Sequence, residues 1–305
     1  MHFLLFSNIN KDPEQKVTDH LAEIIRKKGG TCSIVMEGDE APDRTLDEEL
    51  LKGTDLVIVL GGDGTLLRAS HAVGRSELPM IGLNLGTMGF LTEVEIAQQE
   101  EMVDRLIRGD YMVEPRMRLA GVIRRAPAGN AVSDNSSVPA APGSAEEQRI
   151  STEERFTSLN DIVIIREGVL RLIALKIYVN DVFFDTYEAD GVILSTPTGS
   201  TGYNLSAGGP IVSPKARLLV MTPVSPHSLS KKSIVFGAGD KIRIELEEKR
   251  KTQKNEAIVS FDGYKNYEIS VGDEVEICAS DSALQLIRLE DRSFYEVLSR
   301  KLGPK

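Results

Sequence analysis

The chain has 305 residues, of which 41% are hydrophobic and 27% are charged, and its formal net charge at pH 7 is −10. This length predicts two domains, and the composition is that of a globular protein with a sizeable core. The acidic excess repels phosphate backbones and so argues against nucleic acid as the main partner. Any nucleotide site must then depend on backbone N–H groups, a local Arg or Lys, or a metal ion.

The cysteines and apolar runs indicate the cellular compartment. Cys32 and Cys278 lie far apart and belong to no Cys/His cluster, which predicts two reduced thiols rather than a disulfide or a zinc site. The apolar N-terminal run is too short for a signal peptide, and no apolar run reaches the roughly 18 residues that a membrane helix needs. We expect a cytoplasmic protein without a membrane partner.

The first third of the chain alternates strand-like and helix-like segments. Residues 56–60 form a continuous apolar run, which is typical of a parallel strand covered on both faces. The spacing of apolar residues in 16–28 predicts a helix that ends at two glycines. This alternation predicts a parallel, Rossmann-like α/β sheet. The other predicted strands are 2–6, 32–36 and 80–85, and the other predicted helices are 46–51, 66–73 and 97–107.

Beyond residue 114 the sequence predicts short strands separated by turns. We therefore place an α/β domain at 1–114 and a β-rich domain at 115–289, with a helical segment in 290–305 packing back on the first domain. The Ala-, Pro- and Ser-rich segment 126–148 lacks large apolar side chains, so we interpret it as a flexible loop rather than a functional lid. The predicted strands of the second domain are 119–123, 158–165, 172–179, 191–195, 233–236, 241–246, 257–261 and 274–279.

A glycine cluster follows the buried strand 56–60. Its residues are Gly61, Gly62, Asp63, Gly64 and Thr65. The glycines let the backbone approach a ligand closely, and the following helix N-terminus favours a phosphate. An aspartate beside a phosphate suggests a metal ligand or a proton acceptor. The alternative is a tight turn in which Asp63 is only the helix N-cap.

A second glycine-rich stretch, 82–91, follows the next predicted strand. Two such loops at neighbouring strand ends meet in one crevice of a doubly wound sheet. Phe90 in this stretch is either a core side chain or a ring that lies against a nucleoside. A loop that merely needs flexibility is the alternative.

The densest cluster of hydroxyls, amides and glycines is 188–210. It contains Asp190 and the run Thr-Pro-Thr-Gly-Ser-Thr-Gly-Tyr that ends at Tyr203. This composition suits a polar ligand rather than a core. Asn160 and Asp161, at the start of another strand, form an amide and carboxylate pair that suits ribose hydroxyls, although such pairs are also common in turns. A structural role is favoured for His227, and His71 is expected to face solvent.

The motifs in 61–65, 160–161 and 190–210 occur in the same order in NAD kinases. The chain resembles that family from about residue 1 to residue 302, interrupted at 126–148, and 226–229 and 262–263 fit later family positions. The Gly-Gly-Asp-Gly motif alone is shared with phosphofructokinases and with diacylglycerol and sphingosine-type lipid kinases. The run 196–203 is more specific and favours the NAD kinases.

The resemblance implies a phosphofructokinase-like α/β domain and a β-rich domain with the active site between them. It implies phosphoryl transfer from ATP, or from inorganic polyphosphate, to the 2′-hydroxyl of NAD, and it also implies a divalent metal such as Mg²⁺ and a homodimer or homotetramer. Asp63 would be the catalytic acid/base. The implied NAD-binding residues are Asp63, Gly64, Phe90, Asn160, Asp161, Asp190, Thr201, Tyr203 and Ser206, and the implied phosphate-binding loops contain Gly61, Gly62, Gly64, Thr65, Gly199 and Ser200.

Two positions depart from the family pattern. The family usually has Glu where Asp161 stands and Ala where Gly202 stands, so the Asp161 carboxylate is one methylene shorter and the loop is looser. A kinase of another hydroxyl substrate, such as a lipid or a sugar phosphate, is one alternative function. A non-catalytic dinucleotide sensor is another.

Overall fold

The computed structural model describes residues 1–38, 46–86, 89–126, 153–168, 172–228, 230–248, 256–290 and 293–303. Apart from Ala126, the predicted flexible loop 126–148 lies outside the described residues. None of the helices in this part of the chain combines the length and the apolarity that a membrane crossing requires.

The helices and strands alternate in the first third and give way to strands thereafter. The helices are α1 (Lys16–Lys27), α2 (Glu48–Lys52), α3 (Asp63–Ala72), α4 (Gln99–Arg108), α5 (Tyr203–Ser206) and α6 (Phe294–Leu302). The strands are β1 (His2–Asn8), β2 (Thr31–Glu37), β3 (Leu56–Gly61), β4 (Met80–Asn84), β5 (Val94–Glu95), β6 (Met112–Arg124), β7 (Glu153–Ser158), β8 (Asp161–Arg166), β9 (Ile173–Val179), β10 (Val182–Ala189), β11 (Gly191–Ser195), β12 (Leu218–Val224), β13 (Ile234–Gly237), β14 (Ile242–Glu247), β15 (Glu256–Phe261), β16 (Lys265–Ser270) and β17 (Glu274–Arg288).

The N-terminal strands form a parallel layer in the order β4-β3-β1-β2. Alternate residues of β3 enter two different cores, because Ile58 packs with α1 and α4 whereas Val57 packs with α2 and α3. The strand therefore has no polar face, and this burial on both sides explains the continuous apolar run in its sequence. Truncating Ile58 to alanine would cost roughly 2 to 5 kcal/mol of stability, as for other buried aliphatic side chains.

The later strands form a β sandwich. One sheet has the antiparallel order β13-β12-β11-β8-β15-β16, and it faces β6, β9, β14 and β17 across a shared apolar core. The strand predicted at 158–165 is present as β8, but it begins at Asp161, and Ser158 ends the separate strand β7. Strands β5, β7, β10, β12 and β16 were not predicted.

The 15-residue strand β17 connects the two layers. Its first half pairs with β14 and β6, and near its end Leu286 pairs in parallel with Met80 of β4. One sheet of 11 strands, counted over the described residues, thus extends from the parallel layer into the sandwich. The predicted domain boundary at 114 falls within β6, and the division into two domains stays a prediction.

Candidate active site

A cavity of about 430 Å³ opens at the carboxyl ends of the parallel strands. The chain leaves β1 toward β2 on one side and leaves β3 toward β4 on the other. The loops after β1 and β3 therefore diverge, and ligands of doubly wound sheets bind at such a switch point. The cavity is lined by Asn8, Asn10, Lys11, Gly62, Asp63, Gly64, Thr65, Arg68, Gly89 and Lys301.

Asp63 is the first residue of α3, and the N-cap position belongs to Gly62. The alternative in which Asp63 is only the N-cap is therefore wrong. Its carboxylate accepts N–H bonds from Phe90 at 2.7 Å on Oδ2, and from Leu91 at 3.0 Å and Thr92 at 3.2 Å on Oδ1. These bonds fix the carboxylate and join the two glycine-rich loops.

Gly89 makes this arrangement sterically feasible. A Cβ atom on Gly89 would overlap the carboxylate of Asp63. Gly61 is similarly close to another side chain, since a Cβ there would overlap Thr65, whose hydroxyl accepts an N–H bond from Asn8 Nδ2 at 3.2 Å. Gly64, by contrast, has open space beside its backbone.

Three cationic side chains line the cavity, and none of them belongs to a sequence motif. Lys11 follows β1, Arg68 lies on α3 and Lys301 lies on α6. Lys11 Nζ lies 2.9 Å from the place that a Cβ of Gly62 would occupy. These cations supply the local positive charge that an acidic protein needs in order to bind a phosphate.

Helix α6 lies over the half-buried ring of Phe90. The ring centroids of Phe90 and Phe294 are 6.4 Å apart, and Lys301 Nζ lies 4.9 Å from the Phe90 centroid. The C-terminal helix thus contributes both an aromatic contact and a charge to the edge of the cavity.

Asn160 and the run 196–202 lie together at the ends of β8 and β11. The carbonyl of Asn160 accepts the N–H of Thr196 at 2.8 Å, and a Cβ atom on Gly199 would overlap that carbonyl. A Cβ on Gly202 would lie 3.2 Å from the carbonyl oxygen of Gly199 and 3.7 Å from Nδ2 of Asn160. An alanine at position 202, the usual family residue, would therefore require the Gly199 carbonyl to shift by a few tenths of an ångström.

Part of the 196–210 loop is internal scaffold. The hydroxyl of Ser200 is buried, donates to Pro197 O at 2.7 Å and accepts the N–H of Val212 at 3.0 Å. The buried amide of Asn204 donates to Ser200 O at 3.1 Å and to Pro210 O at 3.0 Å. Ser200, which we expected to bind phosphate, holds the loop together in this structure.

Other predicted residues of this loop are accessible. Tyr203 is 41% exposed and Ser206 is exposed as well, while Thr201 is half-buried with its hydroxyl 3.4 Å from Thr198 O. Asp190 lies apart from them, because it precedes β11 whereas the loop follows that strand. The length of the strand separates Asp190 from Thr196 by about 20 Å. Asp190 instead accepts a hydrogen bond from Arg166 Nε at 2.6 Å.

The residues that line the cavity around Asp63 are distinct from the cluster around Asn160. The lining of the cavity does not include Asn160, Asp161 or Tyr203. The two groups are linked through packing, since Leu159 shares a core with Leu66 of α3.

A chain of charged side chains also links them. Arg288 donates to Phe90 O at 3.4 Å and to Glu114 at 3.1 Å, and Glu114 accepts from Arg116, which reaches the Thr198 hydroxyl at 3.4 Å. Burial raises the pKa of Glu114, but Arg116 and Arg288 outweigh it and the net pKa is lowered. Glu114 is therefore ionised between its two arginines.

The carboxyl of Asp161 has an unusual environment. Burial, and secondarily the charge of Asp262, raise the pKa of Asp161 from 3.8 to about 7. Near neutral pH a fraction of this carboxyl is protonated, so it can donate as well as accept a hydrogen bond.

The expectation that His71 faces solvent is wrong. Its side chain is 8% exposed, and Nε2 lies 2.9 Å from Oδ2 of Asp262. The partner is 191 residues away in the sequence, so no local pattern indicated it. His227 is exposed, and its backbone N–H donates to Glu188 O at 2.9 Å.

Two family models match most of this chain. The ATP-NAD kinase N-terminal domain matches residues 2–111, and the ATP-NAD kinase C-terminal domain matches residues 159–289. The chain belongs to the NAD kinase family. The resemblance inferred from the sequence motifs is therefore confirmed.

Curated members of the family match over almost the whole chain. An NAD kinase of Agathobacter rectalis is 39% identical over 304 residues, which are 99% of this chain and 98% of the relative. An NAD kinase of Lachnoclostridium phytofermentans is 36% identical over 303 residues, covering 99% of each chain.

Solved structures of NAD and NADH kinases share the fold. Yeast NADH kinase in complex with NADH superposes with a TM-score of 0.83 at 23% identity, covering 99% of this chain and 88% of the yeast chain. An NAD kinase from Archaeoglobus fulgidus in complex with ATP gives a TM-score of 0.73 at 23% identity, covering 99% of this chain and all of the other. The predicted fold class, a parallel α/β layer followed by a β-rich part, is confirmed.

Proposed function

We propose that the chain transfers the γ-phosphoryl group of ATP to the 2′-hydroxyl of the adenosine ribose of NAD, giving NADP. One observation carries the proposal: a fixed carboxylate, Asp63, faces a cavity that three cations and a glycine-rich helix N-terminus also line. Membership of the NAD kinase family supports the choice of substrates.

The cations and the glycine-rich loop form the part of the site that would bind ATP, the phosphoryl donor. We call this part the donor side. The N–H groups at the start of α3 and the side chains of Lys11, Arg68 and Lys301 would neutralise the phosphates of ATP. Phosphoryl transfer depends mainly on positioning and on such charge stabilisation. Gly62 and Gly64 would allow the phosphates to approach the backbone.

This donor side offers few protein ligands for a divalent metal. Asp63 is the one carboxylate that lines the cavity, and the described residues contain no group of three or more His, Cys, Asp or Glu side chains suited to a metal ion. Mg²⁺ commonly binds through one or two carboxylates together with substrate phosphates and water. We infer that the ATP phosphates and water would hold the metal, which would screen the phosphate charge, because the open acceptor site of Asp63 would be taken by the substrate hydroxyl.

The acceptor side would lie toward the Asn160 cluster. Asn160 and Asp161 would bind the ribose hydroxyls, and Phe90 and Tyr203 would line the nucleoside pockets. Thr201 and Ser206 would make polar contacts to the dinucleotide. Asp190, about 20 Å from Thr196 along its strand, would contact a distant part of the dinucleotide or none of it.

Asp63 would accept or steer the proton of the attacking hydroxyl. A carboxylate offers about four lone-pair sites, and three backbone N–H groups occupy three of those of Asp63. One acceptor site remains, on Oδ2. The 2′-hydroxyl would donate to that site and thereby turn its oxygen toward the phosphate.

A coupled assay for NADP formation from NAD and ATP tests the proposal. Inorganic polyphosphate in place of ATP identifies the preferred donor, and NADH in place of NAD defines the acceptor. Transfer to diacylglycerol but not to NAD would favour a lipid kinase, and tight NAD binding without turnover would favour a dinucleotide sensor. A homodimer or homotetramer and a cytoplasmic location stay predictions, which light scattering and fractionation would examine.

A further inference from the structure

Asp262 holds the segment that carries Asn160. It begins the turn between β15 and β16, with a positive φ of 55°, and its carboxylate is fully buried. The carboxylate accepts the N–H groups of three consecutive residues, Leu159 and Asn160 at 2.7 Å and Asp161 at 3.0 Å. A hairpin of the β sandwich thus fixes the backbone at the predicted ribose site.

The same carboxylate also binds the helix that carries Asp63. His71 Nε2 lies 2.9 Å from Asp262, and because the carboxylate can only accept, Nε2 carries the proton. Tyr264 stacks on the imidazole with centroids 5.4 Å apart. His71 is eight residues after Asp63 on α3, a rise of about 12 Å.

Arg118 of β6 secures the same end of α3. Its buried guanidinium donates to Gly74 O at 2.6 Å and reaches Ser70 O at 3.4 Å, so it satisfies carbonyls at the C-terminus of the helix. Arg118 and Asp262 also attract each other electrostatically. Residues of the β sandwich therefore fix α3 at the end opposite to Asp63.

We propose that His71 and Asp262 are positioning residues that set the geometry between Asp63 and the Asn160–Asp161 segment. The inference rests on the proposed function, because it assumes that Asp63 acts on a hydroxyl held by that segment. One buried carboxylate clamps both parts, so a change at His71 shifts the helix relative to the ribose site. Misplacement of reacting groups by about 1 Å can cost about 10²-fold in rate.

The experiment compares two substitutions of His71. His71→Leu removes the donor at similar volume, whereas His71→Gln keeps an N–H donor near the position of Nε2. We expect His71→Leu to lower kcat/KM for NAD by about 30-fold, with a higher KM for NAD and a KM for ATP within about twofold of wild type. His71→Gln should recover most of the loss, and His20→Leu, on the exposed side of α1, is the matched control.

The readouts separate positioning from a loss of folded protein. Misfolding lowers kcat through the active fraction but leaves KM for NAD unchanged, and thermal unfolding reports the folded fraction. If His71→Leu does not fold, Asp262→Asn replaces it, because asparagine tolerates the positive φ and keeps one acceptor oxygen. A folded variant with wild-type kcat/KM for NAD would overturn the inference, whereas an inactive wild type would instead overturn the proposed function.

Discussion

Two aspartates in this chain bind the backbone in the same way but differ in what surrounds them. Asp63 accepts the N–H groups of residues 90–92, and Asp262 accepts those of residues 159–161. The fourth acceptor site of Asp262 is taken by His71, whereas Asp63 lines the cavity with one acceptor site beyond those three bonds. Hydrogen bonding alone therefore does not mark a catalytic carboxylate, and the decisive feature is an acceptor site left open to a ligand.

The largest expected effect comes from removing the charge of Asp63. Asp63→Asn should lower kcat by about 10²- to 10⁴-fold, because a positioned general base is worth that much. Isothermal titration should still detect NAD binding, and the melting temperature should stay near that of wild type. Turnover close to normal in this variant would make Asp63 a structural residue like Asp262.

Gly89→Ala tests whether the orientation of Asp63 matters as much as its charge. The added Cβ would overlap the carboxylate and displace it, so we expect about a 10²-fold loss in kcat. Gly239→Ala is the control, because a Cβ there meets no atom within 4 Å. Equal activity of the two variants would show that the carboxylate tolerates displacement.

Asp161→Asn tests the electrostatic consequence of burying Asp161 beside the charge of Asp262. The pKa of Asp161 is about 7 in the folded chain against 3.8 for an unperturbed carboxyl. Between these values the unfolded carboxyl loses its proton before the folded one does, so this group makes wild-type stability fall as pH rises from about 4 to 7. Asp161→Asn should remove this contribution to the fall in stability with pH.

Urea unfolding at pH 4.5 and pH 8 measures the effect. The free energy of unfolding of the variant, relative to wild type, should rise by about 3 kcal/mol between the two pH values. Asp19→Asn, on an exposed face of α1, should show no such rise. If the free energies of unfolding of variant and wild type differ by the same amount at both pH values, Asp161 ionises normally in the folded chain.

Lys301→Ala should have the smallest effect, on the donor side alone. Loss of one charge-assisted contact should raise KM for ATP about tenfold, with KM for NAD changed much less. Lys27→Ala is the control, because Lys27 is exposed and pairs only with Glu23 among the ion pairs of the described residues. An unchanged KM for ATP would show that Lys301 of α6 does not contribute to ATP binding.

The sequence predicted most of the parallel layer because burial on both faces gives long apolar runs, as in β3. It missed the edge strands β10 and β16. Phe183 and Phe184 of β10 are exposed, and each strand covers the core with only a few side chains, such as Tyr187 of β10 and Ile269 of β16, so neither gives a long apolar run.

The candidate site was predictable where chemistry is concentrated in short motifs. The glycine loop around Asp63 and the run before Tyr203 could be read directly. Lys11 and Lys301 could not, because a single lysine resembles a solvated one until the fold brings it to a cavity. The pairing of His71 with Asp262 depends on tertiary contact and has no sequence signature.

The continuous strand β17 has a mechanical consequence. Since it hydrogen-bonds to β4 at one end and to β14 at the other, rotation of the parallel layer against the sandwich would break main-chain bonds. Such a backbone resists hinge bending where the two layers join, so we expect any substrate-driven rearrangement to occur in loops and in α6. An N-terminal half expressed alone would lack β17, so the edge of β4 that pairs with β17 would be exposed. Unpaired strand edges promote aggregation.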